Sequence, residues 1–247
     1  MDDRDLSGRV ALLTGASGGI GGALGRRLIA AGARVAFTYG GHAGEAEQLV
    51  AEAKDAGVDA VALQGDLAQP DTPARLVQQA GAALGPVELL IANAGYSVQQ
   101  AYTDVDLESW DRTLAVNLRA PFLLAQAALP AMVERGYGRV LLMSSVAAFT
   151  GGVIGPHYAA SKAGLHGLVH FLAVRVAAQG VTVNALAPAL VERTRMLPAA
   201  PDGATAVPIP VGRYGQPEEV ADLAMAVLRN AYLTNQVLSL DGGIYPR

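Results

Sequence analysis

The sequence predicts an α/β fold, a doubly wound sheet of seven parallel strands with helices on both faces. Three observations carry that reading. Short apolar runs of about four to seven residues alternate with longer helical stretches along the chain. About 25 residues separate the first three runs, room for one helix and two loops, which is βαβ spacing. The runs are continuously apolar rather than alternating, as strands buried on both faces are.

In order, the runs begin near Val10, Arg34, Asp59, Val87, Arg139, Val181 and Gln236. Right-handed crossovers follow from the parallel arrangement. Gly32, Gly57 and Gly180 each follow an Ala-rich helical stretch and precede a run. Glycine just past a helix end takes the left-handed conformation cheaply. Residues 188–214 break the rhythm with Pro188, Pro198, Pro201, Pro208 and Pro210, so a loop-rich segment that covers a site is expected there. No linker divides the chain, and residues 1–247 are expected to form a single domain.

Composition narrows the function. Hydrophobic residues make up 51% and charged residues 16%, which excludes disorder. The net charge of −4 excludes a basic nucleic-acid footprint. There is no cysteine, hence no disulfide, thiolate zinc site or cysteine nucleophile, and this fits a reducing cytoplasm. The start, Met1-Asp2-Asp3-Arg4-Asp5, does not read as a signal peptide. Charges interrupt the apolar stretches, so no membrane-spanning helix is expected. Of 18 basic residues only Lys54 and Lys162 are lysine.

After the first run comes Thr14-Gly15-Ala16-Ser17-Gly18-Gly19-Ile20-Gly21, then an Ala/Leu/Arg helix. Strand, glycine turn and helix are the context of a dinucleotide fingerprint, hence of a Rossmann-like sheet. Small residues let the backbone approach a pyrophosphate, and the helix N-terminus supplies N–H donors. Gly15-Ala16-Ser17-Gly18-Gly19 also fits the nucleophile elbow of an α/β-hydrolase, with Ser17 as nucleophile. Chain order argues against it, because no histidine lies beyond His170.

Tyr158 and Lys162 lie four residues apart, on one helix face. An ammonium beside a phenol favours phenolate, so the spacing predicts a lowered tyrosine pKa suited to acid–base work. Upstream, Leu141-Leu142-Met143-Ser144-Ser145 ends a strand. A serine at the C-terminal edge of a parallel sheet points into the ligand crevice, where Ser145 could hydrogen-bond a carbonyl beside Tyr158.

In these residues the sequence resembles the short-chain dehydrogenase/reductase family, from Thr14 to the end of the chain. It carries the family's glycine motif at Thr14, Gly15, Gly19 and Gly21, and Asn93-Ala94-Gly95 after the fourth strand. Asn117, Ser145, Tyr158 and Lys162 match the catalytic tetrad, and segment lengths most resemble those of 3-oxoacyl-[acyl-carrier-protein] reductases. The resemblance implies hydride transfer between a nicotinamide and a carbonyl or alcohol. Tyr158 would be the general acid, Lys162 would lower its pKa and hold the ribose, Ser145 would polarise the carbonyl, and Asn117 would hold a water. It implies a cofactor site drawn from Gly15, Ser17, Gly18, Gly19, Ile20, Gly21, Thr38, Tyr39, Asp66, Leu67, Asn93, Ala94, Gly95, Tyr158, Lys162, Pro188 and Val191, with no metal. It also implies a homotetramer built on the helices around Asn117 and Tyr158 and on the last strand. A nicotinamide sensor without catalysis is the other reading, and the intact tetrad argues against it.

Pro121 stands four residues after Asn117 and has no N–H, so the Asn117 carbonyl is expected to be free for that water. The second strand ends Phe37-Thr38-Tyr39-Gly40-Gly41-His42 without an acid, so NADP(H) is expected over NAD(H), although Gly18 stands where many NADP-dependent relatives have arginine. Thr38 and His42 could reach a phosphate. Gln179 and the partial basic patch Glu134-Arg135-Gly136-Tyr137-Gly138-Arg139 argue against docking of an acidic carrier protein, leaving a small-molecule carbonyl or alcohol as substrate. Pro188-Ala189 replaces the family's Pro-Gly, and Arg193 or Thr194 its threonine. His166 and His170 continue the Tyr158–Lys162 stripe at steps of four. With no third ligand evident, helix packing or a subunit interface is expected there rather than zinc.

Overall fold

The computed structural model describes residues 5–194 and 208–245. Seven strands form one parallel sheet: β1 (Val10–Leu13), β2 (Arg34–Tyr39), β3 (Ala60–Gln64), β4 (Leu89–Ala92), β5 (Gly138–Met143), β6 (Val181–Pro188) and β7 (Val237–Leu240). Their order is β3-β2-β1-β4-β5-β6-β7, and every pairing is parallel. The sheet therefore grows outward in both directions from the β1/β4 pair. That junction is the topological switch point, where ligands bind in open α/β sheets.

Along β1 the side chains alternate between two cores. Ala11 and Leu13 face a layer that includes Leu24 and Leu28 of α1 (Gly19–Ala30), Leu49 of α2 (Gly44–Asp55) and Val220 of α8 (Pro217–Arg229). Val10 and Leu12 face Leu76 of α3 (Thr72–Leu84), Leu124 of α5 (Ala120–Arg135) and Leu165 of α7 (Pro156–Val176). The period of two along a strand puts successive residues on opposite faces, so a continuously apolar run is what two covered faces require. α4 (Leu107–Leu114) precedes α5, and the short α6 (Ala147–Thr150) follows β5. Gly32, Gly57 and Gly180 all take positive φ beyond helix ends, as expected.

α4 opens on Asp106, whose side chain accepts from the Ser109 N–H at 2.8 Å. α4 and α5 are joined through Ala115–Arg119, where the backbone widens and the Ala120 N–H donates to the Ala115 carbonyl. Such i→i+5 turns are rare and recur at functional sites. Charges interrupt this stretch less than expected. Leu107–Arg135 contains an 18-residue window apolar enough, by length and composition alone, to cross a membrane. Half of that window is buried inside the protein, with Leu124, Ala125 and Ala128 in the core, so packing accounts for its apolarity.

Of the proline-rich stretch expected to cover the site, residues 195–207 lie outside the described residues. Its two ends are tied together. Val191 bridges Gly215, and the Arg193 guanidinium donates to Glu218 at 2.6 Å and to Gln216 at 2.9 Å. Arg213 pairs with Glu219 at 2.6 Å, and the same carboxylate caps α8 by accepting from the Gln216 N–H.

Leu90 sits fully buried at the centre of the sheet. Leu90→Ala is expected to cost about 2–5 kcal/mol through lost burial and a residual cavity. The shift in the urea unfolding midpoint measures it.

Candidate active site

The glycine turn is held from the neighbouring strand. The Asn93 Nδ2 donates to the carbonyls of Thr14 at 3.0 Å and Gly15 at 3.1 Å, and the Ala94 N–H donates to the Thr14 hydroxyl at 3.0 Å. Two of the glycines leave no room for a side chain. A Cβ on Gly15, which has φ +69°, would lie 2.8 Å from the Ala94 Cα, and one on Gly21 would lie 2.1 Å from the Gly15 carbonyl oxygen. α1 starts from Gly18 with no side-chain cap and no acid in its first turn. Its first N–H groups and the positive end of its dipole thus suit a diphosphate, and the cradle fits a dinucleotide.

The flanks of that cradle are formed by the end of β2, the loop after β3 and the segment after β6. The Ala16 N–H donates to the Thr38 carbonyl at 3.1 Å, joining the turn to the end of β2. Thr38 is buried, Tyr39 half-buried, and Gly40, Gly41 and His42 exposed. His42, not Thr38, is therefore the residue open to a phosphate at the surface. Asp66 is exposed and turns its carboxylate onto the Ala68 N–H at 3.0 Å, with Leu67 buried beside it. Ser17, Ile20 and Ala94 are half-buried around the turn, and Gly95 is exposed. Pro188 and Val191 are buried, and the Pro188 carbonyl accepts from the Val146 N–H. Thr194 turns its hydroxyl onto the Val191 carbonyl at 3.0 Å, whereas Arg193 is exposed at φ +56°.

The second half of the site comes from β5 and α7. Tyr158 is 5% exposed and hydrogen-bonded to Ser145. Ser145 in turn accepts from the Ala147 N–H at 3.2 Å. Lys162 is buried, and its Nζ donates to the Met143 carbonyl at 2.8 Å and lies 5.7 Å from the centre of the Tyr158 ring. Asn117 is wholly buried: its Oδ1 accepts from the Tyr96 N–H, and its Nδ2 donates to the Tyr96 carbonyl and the Ser161 hydroxyl. Its side-chain amide is thus occupied in pinning the β4–α4 loop. Pro121 supplies no N–H, so the Asn117 carbonyl has no i+4 donor, as expected.

Two expectations are corrected. Burial raises the Tyr158 pKa above its ordinary value, and the Ser145 hydrogen bond opposes this without winning. The spacing to Lys162 misleads because the ammonium donates to the Met143 carbonyl rather than to the phenol, and burial pushes its own pKa down to about 8. Arg139, read as part of a basic patch, is buried. Its guanidinium donates to the Leu228, Gly138 and Gly180 carbonyls and packs over the Tyr137 ring.

The histidine stripe divides. His170 pairs with Asn235 at 2.7 Å, and His166 reaches Ser144 at 2.8 Å. No cluster of three or more metal-ligating side chains occurs among the described residues. The Ser161, Tyr96 and Ser144 contacts escape sequence reasoning, since common residue types in ordinary spacing carry no signal of them.

The short chain dehydrogenase family model matches residues 9–204. The chain belongs to that family. A 3-oxoacyl-[acyl-carrier-protein] reductase of Aquifex aeolicus is 34% identical over 97% of this chain and 98% of its own length. An L-rhamnose 1-dehydrogenase (NAD(P)(+)) of a Sphingomonas species is 33% identical over 97% of each. Among solved structures, a blue fluorescent protein from a metagenomic library in complex with NADPH superposes with a TM-score of 0.90 at 36% identity, over 98% of this chain and all of that one. A short-chain dehydrogenase/reductase from Serratia marcescens gives 0.88 at 35%, over 96% and 98%. The chain is an NAD(P)-dependent oxidoreductase of the family, acting between C=O and CH–OH groups. Membership also removes the hydrolase reading of Ser17.

A buried lysine with a lowered pKa makes a pH signature. Between about pH 8 and 10 the unfolded chain keeps more protons on Lys162 than the folded one, so stability rises with pH. The cofactor-free wild type is expected to gain on Lys162→Met across that window, by up to about 1.4 kcal/mol per pH unit. Paired urea titrations at the two pH limits measure the difference.

Proposed function

We propose that this enzyme reduces a small-molecule ketone or 3-oxoacyl-type carbonyl to a secondary alcohol, or runs the reverse, with Tyr158 as general acid and NADP(H) preferred over NAD(H). The observation that carries the reading is the hydrogen-bonded pair of buried Tyr158 and half-buried Ser145, backed by the Lys162 ammonium, at the C-terminal edge of the sheet. The nicotinamide supplies or accepts the hydride. Everything else falls to the chain. Ser145 and Tyr158 present two hydroxyls to one carbonyl oxygen and orient it. Burial keeps Tyr158 protonated at neutral pH, ready to donate as charge develops on that oxygen. The phenolate left behind is stabilised by the Ser145 hydrogen bond and by the nearby positive charge of Lys162. The lack of an i+4 donor to the Asn117 carbonyl supports its accepting from a water on the proton route.

Support for NADP(H) comes from the acid-free end of β2, where Gly40, Gly41 and His42 leave exposed room for a 2′-phosphate. The NADPH complex of the similar metagenomic protein agrees with it. The burial of Arg139 weakens the basic patch that an acidic carrier protein would need, which favours a free substrate. Exposed Phe171, Val174 and Tyr232, with the half-exposed edge strand β7, suit a homotetramer. A cytoplasmic setting accords with the cysteine-free composition.

Tyr158→Phe is expected to lower kcat by about 10²–10⁴-fold while cofactor affinity stays within about twofold, because only the proton donor is removed. Turnover of a ketone panel and fluorescence titration with NADPH check the two halves, and full activity in the variant defeats the assignment. Titration of the wild type with both reduced cofactors is expected to give about tenfold tighter binding of NADPH, a difference of about 1.4 kcal/mol.

A further inference from the structure

We propose that His166 is a positioning residue for the catalytic end of β5: its imidazole holds Ser144, and through Ser144 sets both Ser145 and Lys162. The inference rests on the functional reading above. His166 stands one helical turn beyond Lys162 on α7. Its Nε2 lies 2.8 Å from the Ser144 Oγ. Ser144 is buried and donates its hydroxyl proton to the Lys162 carbonyl at 3.1 Å. A serine hydroxyl has one proton, so the contact with the ring is one in which Ser144 accepts from Nε2–H.

Lys162 is thereby tied to the end of β5 at both of its ends. Its Nζ donates to the Met143 carbonyl, and its own carbonyl accepts from Ser144. The Ser144 N–H is also anchored, on the Leu186 carbonyl at 2.7 Å. Only its side chain depends on a neighbour's ring. That ring is itself held. Phe149 of α6 lies 4.6 Å from the imidazole, centre to centre, and stacks on Tyr245 at 5.6 Å with planes 5° apart. Tyr245 closes a turn on the Asp241 carboxylate just beyond β7. The C-terminal turn, α6 and α7 thus converge on the residue that precedes the catalytic serine. A buried serine oxygen that loses its donor can rotate, and Ser145 is the next residue along the chain.

The test uses His166→Leu, His166→Gln, Ser144→Ala and the Ser144→Ala/His166→Leu double variant, with ethyl acetoacetate and NADPH as the probe reaction. His166→Leu is expected to lower kcat about 10–100-fold, as a displaced catalytic group does, with a smaller rise in the KM for NADPH through Lys162. His166→Gln keeps an N–H donor and is expected to recover most of kcat. The double variant is expected to be no slower than the slower single one, because the effect passes through Ser144. Additive losses, an unchanged kcat in His166→Leu, or a Gln variant as slow as the Leu variant overturn the proposal. Imidazole ¹⁵N NMR adds a readout independent of turnover and of the Leu variant's folding. The His166 ring, assigned by its disappearance in His166→Gln, is expected in the Nε2–H form, and an Nδ1–H ring overturns the linkage. A wild type inactive on ethyl acetoacetate counts against the proposed reaction, while the tautomer still decides whether His166 holds Ser144.

Discussion

The side-chain amide of Asn93 crosses the one place where the sheet changes its direction of growth. At the β1/β4 pair the chain leaves one strand toward the face covered by α1 and the other toward the opposite face. The carbonyls of Thr14 and Gly15 end there without a neighbouring strand to pair with, and Asn93 donates to both, beside the Gly18 N–H that also reaches the Gly15 carbonyl. Buried carbonyls need partners, and where the strands diverge the Asn93 side chain provides one to each of these two. The glycine turn, the α1 N-terminus and the Ala94 contact all take their positions from that bridge.

The half proposed to be catalytic is organised by the opposite means, dense burial of ionisable groups. Tyr158 and Lys162 are both nearly sealed from solvent, and burial disfavours the charged form of each. The resting site is thus biased toward a neutral phenol and a weakened ammonium. Charge becomes favourable only as the reaction creates it, which is the condition under which electrostatic groups act on a transition state rather than on a ground state.

How much of this the sequence discloses depends on the range of the physics involved. The strands are legible because two covered faces demand continuous apolar runs, and the glycine turn because a Cβ at Gly21 has nowhere to go. Asn117, Ser145, Tyr158 and Lys162 are legible as residue types in a known spacing, and the structure brings Ser145, Tyr158 and Lys162 to one edge. The direction of the Tyr158 shift is not legible, since spacing reports a neighbour but not the atom to which that neighbour donates. Arg139 misleads for a related reason: a basic residue in a polar turn looks exposed until Leu228 of a distant helix is seen to accept from it. The contact of Ser144 with His166 is silent in sequence altogether, as the ring lies 22 residues away.

The scarcity of lysine has a practical side. The chain carries two side-chain amines. Lys162 is enclosed between α7 and the end of β5, while Lys54 stands exposed in the last turn of α2. Reagents that acylate lysine therefore meet a single side chain on the folded surface, on the helical layer across the sheet from α7. Attachment through that amine would give every tethered molecule the same orientation at that point and leave the reacting edge of the sheet uncovered.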